Sequence, residues 1–504
     1  MSTRRFGRIG LVLIGVFAGL LISLGITAMA QRGEPLPLRD LQQFANVYSA
    51  IKSSYVESVS DEKLIQDAIK GMFSDLDPHS AYLDEEAFKE MENITQGGFG
   101  GLGIEIGSED GMPKVIAPIE DTPAARAGIL SGDIITHIDG KPTKGMTLNE
   151  AVKLMRGEPK TSIELTIKRE GRADPLVLDI VRDHIKVRSI RAKLLDNNIA
   201  YIRISQFQER TETDLARHVG EMADKGATSL ILDLRNDPGG LLESAIGVTS
   251  MFMRNTGLVV STKGRIASAN REYQTRLSGA AQQLLQRNLA NGSSTVADWA
   301  QKVPMVVLVN VGSASASEIV AGALQDYGRA TVMGNRTFGK GSVQSVLPLG
   351  DDTGIKITTA RYYTPKGRSI QVTGVEPDIV VDDTERGNLF SLPREIDLQR
   401  HLLNGADPES ESDKSDPDYE VVDNPTMFEF GGSDDYQLQQ AINFIEGRPV
   451  KRNNPDLIAK AKSEKEANSN SGSNDEQKKS PVKAPMNSER YRVTPEGIIR
   501  LQDD

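Results

Sequence analysis

The sequence predicts a multidomain α/β protein: a helical N-terminal region, a compact β-rich module, an α/β domain built on a largely parallel sheet, and a polar tail. Three observations predict it. Strand-like and helix-like segments alternate over 185–383, as a parallel sheet with crossover helices requires. Short apolar strands separated by glycine turns fill 97–184. Apolar residues recur at helical spacing over 36–95. A chain of 504 residues is also too long for one core.

Residues 1–33 carry Arg4, Arg5 and Arg8, then an apolar run from Ile9 to about Ala30 that ends in Ala28-Met29-Ala30. This is the layout of a secretory signal, and the run is also long enough for a retained membrane anchor. Either way the rest of the chain is expected to be exported to the periplasm or cell envelope. Over 34–96, Leu41, Phe44, Tyr48 and Ile51 share a helical face, and Leu64, Ile65, Ala68 and Met72 repeat the pattern. Helices this short bury little alone and are expected to pack on another domain or subunit.

Within 97–184, Ile104 and Ile106 alternate with polar residues, 147–155 reads as one amphipathic helix, and 163–167 as a strand. In 185–383 the strand candidates are Ile199–Ile204, 230–234, Met305–Val309 and 330–333, with helices near 211–225, 242–253 and 316–327. A polar insertion occupies 278–300. Residues 384–504 turn acidic and Ser/Pro-rich and are expected to be a largely disordered extension, especially 463–488, with one short helix near 437–446.

Bulk chemistry excludes several functions. The net charge of −11 argues against a nucleic-acid binder. The absence of cysteine removes disulfides, thiolate metal sites and cysteine nucleophiles together. Gly98-Phe99-Gly100-Gly101-Leu102-Gly103 has dinucleotide-loop spacing, but a helix precedes it and a strand follows, the reverse of what a pyrophosphate site needs. Gly334-Asn335-Arg336-Thr337-Phe338-Gly339-Lys340 matches a phosphate loop until Gly341 stands where a magnesium-binding Ser or Thr belongs.

A second reading of these residues is more productive. A buried-looking strand, Met305–Val309, turns into Gly312-Ser313-Ala314-Ser315-Ala316-Ser317-Glu318. A small-residue strand-to-helix turn suits a nucleophile, because substrate must approach closely and helix N–H groups stabilise an oxyanion. The same spacing also fits an N-cap serine with its capping acid, and spacing does not choose among Ser313, Ser315 and Ser317. None of the five histidines (79, 137, 184, 218, 401) lies in the α/β domain near a loop carrying an Asp, and no His-Glu-x-x-His pattern exists. Lysine is the remaining candidate for a base, and Lys340 is the best placed, although a lone lysine on a loop also fits a merely solvated side chain. If the chain is extended from Lys340 to Gln344, the two side chains share a face.

These segments, with Asp233-Leu234-Arg235-Asn236-Asp237-Pro238-Gly239-Gly240 and Thr337-Phe338-Gly339-Lys340-Gly341-Ser342-Val343-Gln344, resemble the carboxyl-terminal processing (tail-specific) peptidase family. The resemblance covers residues 36–383. It implies a crotonase-like or Clp-protease-like core, with Ser315 as nucleophile, Lys340 as base and Gln344 positioning the lysine. The oxyanion hole is expected from the backbone of Ala316 and of either Gly239 or Gly240. Asp237 stands where many relatives have Asn. No metal or organic cofactor is implied. A lysine of pKa ~10.4 is cationic at neutral pH, so this chemistry requires desolvation to release the neutral amine.

Residues 97–184 resemble a PDZ domain through Gly101-Leu102-Gly103-Ile104 and Thr122-Pro123-Ala124-Ala125-Arg126-Ala127-Gly128-Ile129. The glycine loop is expected to hold a peptide's C-terminal carboxylate while the peptide adds as a strand beside Ile104. Leu148, Val152 and Met155 would line the groove, and Arg156 at its end would report occupancy. The expected function is an exported serine endopeptidase that captures substrate C-termini. The alternative is a non-catalytic exported scaffold that binds C-terminal peptides. Expected partners are peptide substrates, an adaptor protein and a second copy of the chain.

Overall fold

The computed structural model describes residues 36–109, 111–119, 121–172, 174–350, 352–388, 393–404, 430–457, 490–494 and 497–501. The expected signal or anchor segment and the low-complexity stretch 463–488 lie outside the described residues. Among the described residues no helix is long and apolar enough to cross a membrane.

Residues up to Met72 form one unit and those from Phe73 onward a second. In the first, helix Leu38–Ser54 leads into Asp61–Phe73, and Tyr48 and Lys52 of the first both reach the Asp61 carboxylate (2.5 and 2.7 Å). Neither helix has a buried residue; Leu41, Phe44 and Ile51 stay exposed.

In the second unit, the β-rich module is a sheet ordered 104–109, 112–118, 134–138, 162–168, 176–181, with helix Leu148–Met155 packed on it. Strand Ser162–Lys168 shows the period-2 logic plainly: Ile163, Leu165 and Ile167 are buried in the module's core while Ser162, Glu164 and Lys168 face water. Strand Gly98–Gly101 pairs with Asp183–Lys186, so the module's two ends meet.

The α/β domain holds a six-stranded sheet in the order 190–194, 199–204, 229–233, 305–309, 331–334, 379–380. Its first pair is antiparallel and the rest are parallel. A parallel sheet must be covered on both faces. Helices Thr211–Asp224, Leu242–Phe252 and Ala316–Asp326 pack with one face, around Ala200, Ile202, Leu230, Leu232 and Val307. The opposite face, bearing Tyr201, Ile231, Val306 and Leu308, is covered by helix Tyr436–Ile445 through Leu438, Ala441 and Ile442.

That last helix changes the domain plan. The segment read from sequence as an extension beginning at 384 contributes residues 393–404 and 430–457 to the domain, because the sheet's second face needs a cover and helix Tyr436–Ile445 supplies it. The polar insertion is likewise structural. It forms helices Gly279–Gln286 and Val296–Lys302, whose i, i+4 pairs Ala281/Leu285 and Val296/Ala300 join the core. Its polar residues face outward or pair locally, as Arg287 does with Asp224 (2.6 Å).

A second, antiparallel sheet carries the lysine segment. Strand Ser342–Gly350 pairs with Thr353–Tyr363, which also pairs with Ala81–Leu83 and Leu258–Gly264. Residues 77–83, read from sequence as part of a separate helical region, are therefore built into this sheet.

Candidate active site

The strand-to-helix turn places its three serines differently. Ser313 is fully buried; its hydroxyl donates to Leu234 O (2.8 Å) and accepts from Asn310 N (3.0 Å). Ser317 is also fully buried and donates to Asp237 O (2.9 Å). Both stitch the turn to the 233–240 loop. Ser315 is instead half-buried, at φ 56° and ψ −110°, a strained conformation that L-residues avoid. It begins helix Ala316–Asp326, so the Ala316 N–H belongs to the helix's first turn, where donors lack intrahelical partners.

The 233–240 loop closes over this turn. A Cβ on Gly239 (φ 98°) would lie 2.7 Å from Ala314 O, 2.8 Å from Ala316 N and 2.9 Å from Ser315 Cβ, so only glycine fits there. Gly239 donates its own N–H to Asp237 Oδ1 (2.9 Å). The Gly240 N–H has no partner among the described residues, which makes Gly240, rather than Gly239, the second oxyanion donor candidate. Asp237 is fully buried, its Oδ2 is unpartnered, and burial pushes its carboxyl well above the usual carboxylate range. A protonated Asp is close to an Asn in shape, which accounts for an acid at this position.

Glu318, read from sequence only as a capping acid, is the hub of the site. Its buried carboxylate accepts four hydrogen bonds: Oε2 from Ser315 N (2.8 Å) and Lys340 N (2.9 Å), Oε1 from Gly339 N (2.7 Å) and Thr337 Oγ1 (2.5 Å). One oxygen thus ties the serine turn to the lysine loop. Burial pushes this carboxyl up to about 7, with the four donors opposing the shift. Tyr362 adds a second tie, its hydroxyl reaching the carbonyls of both Ser315 (3.1 Å) and Lys340. Replacing Glu318 with Gln turns one acceptor into a donor facing N–H or O–H donors. We expect on the order of a 10²-fold loss of turnover from the resulting misplacement, read by kinetics on a variant that still melts cooperatively.

Lys340 is partly buried, and its Nζ makes no hydrogen bond or ion pair among the described residues. Burial, assisted by nearby Lys356, lowers its pKa, while the Glu395, Glu318 and Asp77 carboxylates pull it the other way. Gln344 does not hold this amine. Its Nε2 donates to Ser342 Oγ (2.9 Å) and Thr358 Oγ1 (3.2 Å), and the pairing register shifts at Val343/Gln344. That irregularity breaks the simple alternation on which the sequence expectation rested.

In the β-rich module, the carbonyls of Leu102 and Gly103 accept from Ala124 N and Ile119 N (both 2.9 Å), whereas the N–H groups of Leu102 and Gly103 have no partner among the described residues. Gly101 and Ile104 flank this loop at the ends of their strands. Leu148 and Val152 are half-buried and stand outside the module's core cluster, as groove residues would; Met155 is instead buried within that core, a correction to the sequence reading. Arg156 lies over the Phe99 ring (4.8 Å) and pairs with Glu90. With Lys153–Glu86 (2.8 Å) and Lys89–Glu158 (2.6 Å), it forms a row of exposed ion pairs to helix Glu85–Gln96.

Comparison with known proteins agrees with this anatomy. Residues 198–381 match Peptidase family S41, residues 114–169 a PDZ domain, and residues 26–87 the activating protease CtpB N-terminal domain. The carboxy-terminal-processing protease of Bartonella bacilliformis is 42% identical over 442 residues, covering 85% of this chain and 94% of that protein. CtpA of Bacillus subtilis, a carboxy-terminal processing protease, is 37% identical over 337 residues, covering 66% of this chain and 67% of that protein. Among solved structures, a photosystem II D1 C-terminal processing protease aligns at 29% identity and TM-score 0.38, covering 67% of this chain and 86% of that one. The chain belongs to the carboxy-terminal processing proteases, serine peptidases of family S41 that here carry a PDZ domain.

Proposed function

We propose that this protease cuts polypeptides with a Ser315–Lys340 dyad. The observation that carries the reading is the convergence of the Ser315 and Lys340 N–H groups on one oxygen of Glu318. Neutral Lys340 takes the Ser315 proton as the hydroxyl attacks the peptide carbonyl, the Ala316 and Gly240 N–H groups receive the oxyanion, and the lysine returns the proton to the leaving amine. Water then releases the acyl-enzyme.

Substrates enter by their C-termini: the unpartnered Leu102 and Gly103 N–H groups take the carboxylate, and Leu148 and Val152 take the last apolar side chain. Arg156, held on Phe99 and Glu90, sits where groove occupancy would be felt. The arginine-led apolar segment over 1–33 supports export to the periplasm or cell envelope, and the exposed stripe Leu41, Phe44, Ile51 supports a homo-oligomer. An adaptor would act through the same PDZ groove or the N-terminal helices.

The test uses full-length Ser315→Ala, which retains substrate. It should bind an apolar-ended peptide with a free carboxylate at least about tenfold more tightly than its C-terminal amide, since a charge-assisted hydrogen bond is lost. Val152→Asp should remove the preference. Equal affinity for acid and amide would discard C-terminal capture, and fractionation of cells would check export.

A further inference from the structure

The segment Asp77-Pro78-His79-Ser80 lies more than 230 residues before Ser315 in sequence. In the structure two chains of hydrogen bonds leave this one turn: one ends on the Gln344 side chain, the other on the Gly341 N–H, in the peptide that follows Lys340. The first starts at Asp77. Its Oδ1 accepts from His79 N, Ser80 N (both 2.9 Å) and Thr358 Oγ1 (3.1 Å), and its Oδ2 accepts from Ser80 Oγ (2.6 Å). Thr358 Oγ1 accepts in turn from Gln344 Nε2 (3.2 Å), and Thr358 N donates to Ser80 Oγ (3.0 Å). The second starts at His79, whose Nε2 donates to Glu395 Oε2 (2.8 Å). Glu395 Oε1 accepts from Gln371 Nε2 (2.8 Å), and Gln371 Oε1 accepts from Gly341 N (2.9 Å), the peptide that follows Lys340.

Glu395 and Gln371 are fully buried and Asp77 and Ser80 nearly so, so the Asp77–Ser80, Glu395–Gln371 and Gln371–Gly341 bonds are shielded from solvent. Such buried networks are satisfied or costly. A Cβ on Gly341 would lie 2.3 Å from Gln371 N, so the two backbones are already in contact.

We infer that the Asp77–Ser80 turn is a positioning element for the base: His79 fixes the Lys340–Gly341 backbone through Glu395 and Gln371, while Asp77, through Thr358, braces the strand that follows at Gln344. This rests on the reading of Lys340 as the base. The physical need is clear. Among the described residues the Lys340 amine has no hydrogen-bond partner at the end of its four flexible methylenes, so its aim depends on where its backbone is held. Asp77 and Pro78 make the turn rigid, through paired side-chain-to-backbone bonds and a fixed φ.

The experiment measures cleavage of unfolded β-casein by the full-length chain. His79→Ala should lower kcat on the order of 10–100-fold with KM within about twofold, while His79→Gln, which keeps a donor at the Nε2 position, restores most of it. Gln371→Ala combined with His79→Ala should be far less than additive, since both cut one chain. Thr358→Val, which keeps shape, should give the same kcat-only loss if His79→Ala fails to fold. A lowered melting temperature with wild-type kcat in both His79→Ala and Thr358→Val would overturn the inference, as would no rescue by Gln. Lys340→Ala separates the two claims: if it is inactive while the turn variants are fully active, only the positioning role falls; if it is active, the base assignment falls and this inference with it.

Discussion

Lys340→Ala and Ser315→Ala should each abolish proteolysis, with losses on the order of 10⁴-fold or more, while melting close to the wild type. Neither side chain carries the fold: Ser315 is only half-buried, and the Lys340 amine has no partner among the described residues. What remains intact in both variants is the frame, Glu318 with its four donors and Tyr362 against both carbonyls. Lys340→Arg should be equally inactive, because a guanidinium does not give up its proton. The pH profile follows from the sign of the lysine shift. Burial, with Lys356, lowers the pKa of Lys340, so the cation predominates in acid, and the rate climbs with pH as the neutral amine forms, levelling below the range of an ordinary lysine. Lys356→Met removes one cause of the lowering and should move the profile toward alkali. A wild-type profile that falls across this range, or an active Lys340→Ala, would discard the dyad.

Asp435→Ala should be the most damaging single change outside the catalytic loops, costing about 3 kcal/mol of stability. Arg235, in the loop that leads to Gly239 and Gly240, is almost fully buried, with both Nη atoms on Asp435 (2.8 and 2.6 Å), Nε and Nη2 on Asp233 (2.9 and 2.8 Å), and a further bond to Gln437 (3.1 Å). Tyr201 closes the set by donating to Asp233 (2.6 Å). Although burial alone would raise it, Arg235 and Arg203 hold Asp233 well below the usual carboxylate range. Removing Asp435 leaves two arginines facing one acid in a dry site. The expected cost sits at the low end for a broken buried pair because Asp233 still faces Arg235. Asp435 also caps helix Tyr436–Ile445 through Leu438 N (3.1 Å), so the same change loosens the helix that covers the sheet. Urea unfolding of the full chain checks the value, and turnover per folded molecule checks whether the loop keeps its shape. Wild-type stability would mean that this helix is not part of the catalytic domain.

Much of this protein was legible as sequence because its signals are local. The strand-to-helix turn at Met305–Val309 and Ser313–Glu318, the lysine between two glycines, the glycine loop before Ile104 and the capped helix after Thr147 are written in consecutive residues, and steric rules act on consecutive residues. Composition was equally direct: with no cysteine and no paired histidines, little but lysine was left to serve a serine. Only the tertiary structure showed which serines are spent on the fold: Ser313 and Ser317 bond to a loop some 80 residues away, while Ser315 is left half-buried. It alone showed that Gly239 spends its N–H on Asp237, that Gln344 turns toward Thr358, and that His79 and Asp435 belong to the domain at all. The insertion at 278–300 and the helix at 436–445 looked peripheral because their polarity describes the outward face. What they bury depends on a sheet assembled from strands more than 100 residues apart, and no local pattern encodes which segment will cover its second side.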